Sequence, residues 1–533
     1  MQIVAGISIL ALASRSLRVR RSVRHSLRLV VVCFVALVTG TSLGTAAERP
    51  AKLDQLAPAD FDRAAAAHLL SRAGFGGTPR EIEQLVELGL DGAVDRLLQT
   101  GGDDPVGDFH ATITERPGRQ QFVGLSAEER QKLTREHRQK DQRQFQQLRA
   151  WWLQRMVLTP HPLEEKMTLF WHGHFATSQI DVRNSYHMYL QNQTLRENAF
   201  GNFKELVTAV AQDPAMLEYL DNNTNNRNRP NENFARELME LFTLGVGNYT
   251  EEDIKEAARA LTGWTLRGNE FVFTRFQHDP GEKTFLGQKG RFTGDEVIDI
   301  IFEQPAVSRF VVRKMFVYFA HEDPSDEVID SLAATFREND FDVTPVLAEL
   351  FRSSEFYSQQ SRGSQIQSPV QLVVRTLRLL ELDPGTSPIY AGVAGQMGQE
   401  LFAPPSVKGW DGGENWISTS TLFDRRNYPI MMLGLATPEA LRRQARGGQG
   451  GQGGRFSIPQ WDASSGAAQL LGKNFSQLTA DEAVDRLLKR FLLVPPTDDA
   501  RQKLIELYNE KQPASRLAEL IHLIVSSPQY QLG

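Results

Sequence analysis

The sequence predicts a predominantly α fold: a large single domain of interlocked helices with one small β-hairpin. Three observations carry that expectation. Apolar residues recur at helical spacing through most of the chain. Start and stop signals punctuate those runs, with Ser or Thr three residues before an acid, Pro in the first turn and Gly at the end. Only Gly268 to Gly287 alternates with the two-residue period of a strand. Composition agrees, since 533 residues with 41% hydrophobic and 23% charged side chains are ordinary for a globular protein with a sizeable core.

The leader stands apart from that fold. Arg15, Arg18, Arg20, Arg21, Arg24 and Arg28 precede the apolar run Leu29 to Val38, and small residues follow as far as Ala47. A basic stretch, a short apolar stretch and a small-residue cleavage site read as a signal peptide over 1–47. The apolar run is too short to span a bilayer, which takes ~20 residues. The expected location is therefore outside the cytoplasm, in the periplasm, in the cell envelope or secreted, with no transmembrane anchor after cleavage. Losing six arginines and no acids takes the net charge from −6 to −6 − 6 = −12. An acidic chain is a poor nucleic-acid binder, because phosphate contacts need Lys and Arg. The single cysteine, Cys33, lies in the leader, so the mature chain has no disulfide, thiolate nucleophile or Cys-ligated metal. Residues 48–533 read as one helical domain, with a flexible Gly-rich loop at 446–455.

The elements follow in order. Phe61, Ala65, His68 and Leu69 begin a helix that stops at Gly74-Phe75-Gly76-Gly77. Thr78 with Glu81 opens the next, and Ser126 with Glu129 opens a long one, polar as far as Arg149 and apolar from Trp151. Pro162 starts L-E-E-K-M-T-L-F-W-H-G-H-F. Leu195 to Ala211 and Pro214 to Leu220 continue in helical period, and Asp221 to Arg229 is a polar, turn-forming loop. The most sharply punctuated helix runs from Pro230 to Gly247. Asn231 caps it; Phe234, Leu238, Leu241 and Phe242 form its apolar stripe. Glu232, Arg236 and Glu240 line another face at i, i+4, i+8, with Glu237 beside Glu240. Thr250 with Asp253 caps a further helix. Phe271 to Phe276 and Thr284 to Leu286 are expected as short strands around the turn His278-Asp279-Pro280-Gly281. Helices return at Glu296 to Phe302, Val307 to Phe319, Glu327 to Phe336, Val343 to Phe351, Pro369 to Leu382, Thr479 to Phe491 and Ala500 to Tyr508.

Seven blocks in this order have a family likeness: F-W-H-G-H-F-A-T-S (170–178), N-F-K-E-L-V (202–207), D-P-A-M-L-E-Y-L-D-N (213–222), N-E-N-F-A-R-E-L-M-E-L-F-T-L-G-V-G (231–247), A-A-R-A-L-T-G-W-T (257–265), H-D-P-G-E-K-T-F-L-G (278–287) and P-P-S-V-K-G-W-D-G-G (404–413). From about Phe61 onward the chain resembles the family numbered 1800 among bacterial domains of unknown function. The resemblance implies a large, mostly helical, exported bacterial domain and brings no catalytic residues with it. Relatives of this kind are often encoded beside an exported protein of the family numbered 1501, which implies a partner or shared pathway.

Candidate chemistry rests on residue types alone. His172, His174, Asp221, His278 and Asp279 are the candidate metal ligands, for a divalent cation. Two residues apart on a helix point ~200° apart, so the histidines converge only if Gly173 breaks the helix. Otherwise each is a hydrogen-bonded histidine at a core edge. Glu237, Glu240 and Arg236 are the candidate catalytic residues for proton transfer, or else part of an ion-pair lattice that docks Arg236, Lys255 or Arg259 between helices. Asp279-Pro280-Gly281 is also plain turn chemistry. The Pro404 to Trp416 loop, with two tryptophans, is either a sugar-stacking platform or a structural anchor. The G-x-S-x-G at 40–44 lies in the leader and the G-x-G-x-x-G at 448–453 in the low-complexity Gly-rich loop, and no phosphate loop or H-E-x-x-H occurs, which argues against serine-hydrolase, nucleotide-dependent and zincin chemistry. Two functions remain open. One is an envelope scaffold or maturation and export partner of a co-encoded exported protein. The other is a metal-assisted hydrolase acting on an envelope or extracellular polymer. The expectation is that at least three of His172, His174, Asp221, Glu237, Glu240, His278 and Asp279 converge within ligand distance of one point and line the largest pocket.

Overall fold

The computed structural model describes residues 51–102, 104–435, 461–510 and 513–533. The leader and the Gly-rich loop at 446–455 lie outside the described residues. Pro50–Gly533 cluster as one compact unit.

The capping signals work as read. Thr78 caps α2 (Pro79–Leu98), Ser126 caps α3 (Ala127–Leu158) and Thr250 caps α10 (Glu251–Ala260), each in a reciprocal box with the acid three residues on. Before them, α1 (Arg63–Arg72) is capped by Asp62. Between α3 and α10 lie α4 (Pro162–His174), α5 (Gln179–Val182), α6 (Ser185–Glu197), α7 (Phe203–Ala211), α8 (Pro214–Tyr219) and α9 (Glu232–Glu237). The run expected over 195–211 is broken at Gly201, whose φ of 100° is left-handed; Asn202 then caps α7. The later helices are α11 (Gly294–Phe302), α12 (Ala306–Phe319), α13 (Asp326–Glu338), α14 (Val343–Arg352), α15 (Pro369–Leu379), α16 (Ile389–Gln396), α17 (Thr419–Met432), α18 (Ala463–Leu471), α19 (Ala480–Phe491), α20 (Asp498–Glu510) and α21 (Pro513–Val525).

The β content differs from expectation. There are two two-stranded antiparallel ribbons: β1 (Trp264–Arg267) with β2 (Glu270–Phe273), and β3 (Lys283–Phe285) with β4 (Gln288–Gly290). The strands flanking His278 to Gly281 do not pair with each other. Each is claimed by a nearer two-residue turn, Gly268-Asn269 and Leu286-Gly287. Leu286 and Gly287 have φ of 46° and 80°, the left-handed pair that matches strand twist.

Two hydrophobic cores fill the interior. The first joins α1, α2, α7 and α9–α14; the second joins α3 and α15–α21. Helix α4 lies between them, giving Leu163, Met167 and Trp171 to the first and Leu169 to the second. Among the described residues no helix is long and apolar enough to cross a membrane.

Candidate functional site

The acidic helix begins as read. Asn231 accepts from the Asn233 amide and anchors itself by donating to the Leu220 carbonyl at 3.0 Å. Phe234, Leu238 and Phe242 are buried in the first core, whereas Leu241 is half-buried. The helix does not stay α. After Glu237 it widens into a π turn over Leu238–Thr243, in which the Leu244 amide reaches back to the Met239 carbonyl at 2.8 Å. Widening frees carbonyls from the i→i−4 ladder, and π turns are frequent at functional positions.

His174 and Lys314 take up two carbonyls of the last turn, which any helix end leaves without intrahelical partners. His174 Nε2 donates to the Phe242 carbonyl at 2.9 Å, which leaves Nδ1 to accept from Lys314 Nζ at 3.2 Å. Lys314 Nζ also donates to the Leu241 carbonyl at 3.0 Å. Burial, with the Lys314 charge added, keeps the His174 ring neutral. Burial, helped by Lys408, brings the Lys314 amine down to about 8. Both ring nitrogens of His174 are thus committed to the fold.

His172 is committed elsewhere. Helix α4 runs unbroken through Gly173, so the two rings diverge into different cores. His172 Nε2 accepts from the Phe402 amide at 3.0 Å, and the ring packs against Trp152, Phe402 and Trp410. Burial lowers it to about 3. The 402–410 loop closes on the same helix end: a Cβ at Gly409 would lie 2.4 Å from the Gly173 carbonyl. Only glycine allows that approach. Trp416 is buried, in keeping with an anchoring loop.

The remaining candidates separate as well. Asp221 is exposed in a left-handed turn, with φ of 56° and no capping bond from its side chain. His278 Nδ1 bonds the Thr262 carbonyl at 3.1 Å, while its neighbour Asp279 accepts from Arg259 Nε at 2.7 Å and from the Gly281 amide at 2.8 Å. Arg259 holds the Asp279 carboxyl below its usual range. Arg259 also binds Glu256 at 2.8 Å, and Arg236 makes a bidentate pair with Glu251 at 2.8 Å. Only the Arg236–Glu251 pair joins two of these helices; Arg259 pairs within α10 and with the 278–281 turn, and Lys255 with Glu252 inside α10. Glu240 accepts from the Tyr249 hydroxyl at 2.6 Å. Glu237 is half-buried, and burial followed by the Glu240 charge raises its carboxyl.

The expected convergence therefore does not occur. The structure brings Glu237, Glu240 and Arg236 together and disperses His172, His174, Asp221, His278 and Asp279. A divalent cation does not fit that donor set, because the His172 Nε2 and His174 Nδ1 lone pairs face protein donors and the other candidates are dispersed. Among the described residues no three His, Cys, Asp or Glu side chains are grouped to hold a metal ion. Neither described pocket is lined by a candidate; the wider one runs between α2 and α18–α19, beside Arg80, Glu87, Arg486 and Lys489.

The conspicuous blocks are joints: 170–178 grips the π turn and the 404–413 loop, and 257–265 grips 278–287. Residues 68–532 match the family described as protein of unknown function (DUF1800). The chain belongs to the DUF1800 family. No curated protein and no solved structure matches it at a significant level. Sequence reading missed several DUF1800 charges inside the fold, among them the half-buried Lys314 and the buried Asp213 and Arg375. Asp213 is pushed up to about 7 by burial, against bonds from the Met216 amide and Gln191. The available signal was a lone charge inside an apolar run, as in V-Q-L-V-V-R-T-L.

Proposed function

We propose that the protein is an exported, non-catalytic binding protein: an envelope scaffold or maturation partner for a co-encoded exported protein of the family numbered 1501. The observation that supports this reading is the commitment of the imidazoles to structural hydrogen bonds. A surface suited to a partner lies beside the β1–β2 ribbon. Phe276 is 74% and Phe273 41% exposed, and Arg227, Arg229 and Arg275 are exposed around them. The Arg227 amide binds the Gln277 carbonyl at 2.7 Å, which ties the two loops together. An aromatic and basic patch on a chain of net charge −6 suits an acidic partner segment. Pull-down of the tagged full chain with its genomic neighbour tests this. Retention by wild type, weakened at least tenfold by Phe276→Ser with Arg275→Glu at unchanged melting temperature, is expected. Equal retention by wild type and variant, or none by either, contradicts it.

A hydrolase reading keeps one supporting observation, the raised carboxyl of Glu237 beside Glu240 and Tyr249. A carboxyl tuned upward suits proton transfer. Hydrolysis of envelope polymer abolished by Glu237→Gln is the result that favours it.

A further inference from the structure

The first half of α3 is open to solvent. From Ala127 to Arg143 no residue is buried, whereas Gln144, Phe145 and Leu148 are. At 1.5 Å per residue the open stretch is about 25 Å long. Its half-buried residues, Leu133, Thr134, His137 and Asp141, fall on the side that continues into Gln144, Phe145 and Leu148, which is the side turned to the body. The opposite side carries Lys132, Arg135, Gln139 and Arg143 in one row at i, i+3, i+7 and i+11, flanked by Arg138 and Lys140. All six are exposed. Among the described residues the side chains of Arg135, Arg138, Lys140 and Arg143 have no ion-pair or hydrogen-bond partner, and Lys132 acts only on the Glu129 carboxylate. Glu129 is committed to the Ser126 capping box, and Asp141 accepts from Ser185 on the inner side. Past the first turn, the outer side therefore sets five cations against one acid, Glu136.

An apolar turn stands at the start of the same helix. The short turn Arg119–Phe122 leads to Val123, which is 73% exposed. Phe122 and Leu125 are half-buried beside it, and Arg119 is exposed. Arg130 Nε donates to the Leu125 carbonyl at 3.0 Å, which fastens this turn to the helix. Neither described cavity is lined by any of these residues, so the cations do not enclose a small ligand. Cations spread along an open helix that ends on an exposed apolar turn suit an anionic bilayer. Phosphate headgroups meet the Lys and Arg side chains, and the apolar turn enters the headgroup boundary. A hydrated polyanion would use the cations and leave Val123 uncovered.

We propose that the outer side of α3, with the Val123 turn, binds the surface of a membrane that contains anionic phospholipid. This surface shares no residue with the ribbon patch assigned to the partner, so the two readings stand or fall separately. The protein, as the cell processes it, is sedimented with vesicles of phosphatidylcholine alone and of phosphatidylcholine and phosphatidylglycerol in equal parts, in rising sodium chloride. Binding to the anionic vesicles only, lost as salt rises, is expected. Lys132→Ala with Arg135→Ala and Arg143→Ala weakens it by roughly tenfold or more. The melting temperature stays unchanged, because these side chains are exposed and alanine keeps the helix. Val123→Ser weakens binding severalfold and leaves its salt dependence as it was. Equal sedimentation with both vesicles, none included, or equal binding by wild type and the triple variant, overturns the proposal. Retention on immobilised polyphosphate without sedimentation by anionic vesicles also overturns it, and assigns the cations to a polymer.

Discussion

Two buried charge clusters flank α4, and they are built oppositely. On one side Glu165, fully buried, accepts from Arg155 and Arg196 at 2.6 Å and from the Trp152 indole at 2.8 Å. Burial alone would raise that carboxyl, and Arg196 and Arg155 overcome it and hold it below its ordinary range. On the other side Arg72, Lys166 and Arg375 meet backbone carbonyls and aromatic rings. The first cluster is neutralised by acids, since Asp104 takes the second charge at Arg155. The second is held by backbone carbonyls and ring faces. Adjacent residues of one helix, Glu165 and Lys166, belong to opposite designs.

The largest expected effect is on the self-neutralised side. Glu165→Ala leaves the buried Arg196 guanidinium without an acid and Arg155 with Asp104 alone, and a loss of about 3–5 kcal/mol in urea unfolding is expected. A loss under ~1 kcal/mol would mean that these pairs are screened by solvent. Next come Leu238→Ala and Phe242→Ala, which touch neither cluster and create cavities in the first core. They are expected to cost ~2–5 kcal/mol.

A smaller effect separates the clusters by pH. His172 and His68 are lowered from 6.5 to about 3, chiefly by burial. Their unfolded forms bind protons below 6.5, the folded forms only near 3. Stability therefore falls as pH drops through that window, by about 1.4 kcal/mol per pH unit per histidine. Glu165 adds a loss further down, below its ordinary value of 4.5, as pH falls through its depressed folded value. His172→Gln is expected to shallow the slope between pH 6 and 4 by one proton, read from chemical denaturation at ~0.5 unit steps. An unchanged slope would mean that the ring is charged or exposed. The smallest effect is expected of Glu237→Gln, within ~0.5 kcal/mol in thermal unfolding, because the shape is kept and the residue is half-buried.

Much of the fold was legible in the residues. Capping boxes at Thr78, Ser126 and Thr250 fixed helix starts because a side chain and a backbone amide three residues apart settle the geometry locally. The ribbons were legible as strands but not as pairs, since Asp279-Pro280-Gly281 is a louder turn signal than Leu286-Gly287. The π turn left no trace, because its register depends on His174 and Lys314, which are distant in sequence. The candidate site was legible only as a list of residue types. Helical geometry at His172 and His174 already argued for divergence, and a straight helix between two cores made it so. Arg72 and Arg375 went unread because burial of a charge is a tertiary fact: nothing in S-R-A-G-F-G says that the arginine will be buried.

Elemental analysis of the purified full-length protein tests most directly whether these histidines and carboxylates serve the fold rather than a metal. The expected result is well under one divalent metal per chain, with a melting temperature unmoved by EDTA. One tightly held metal per chain, lost from His172→Gln or Glu237→Gln, would contradict it.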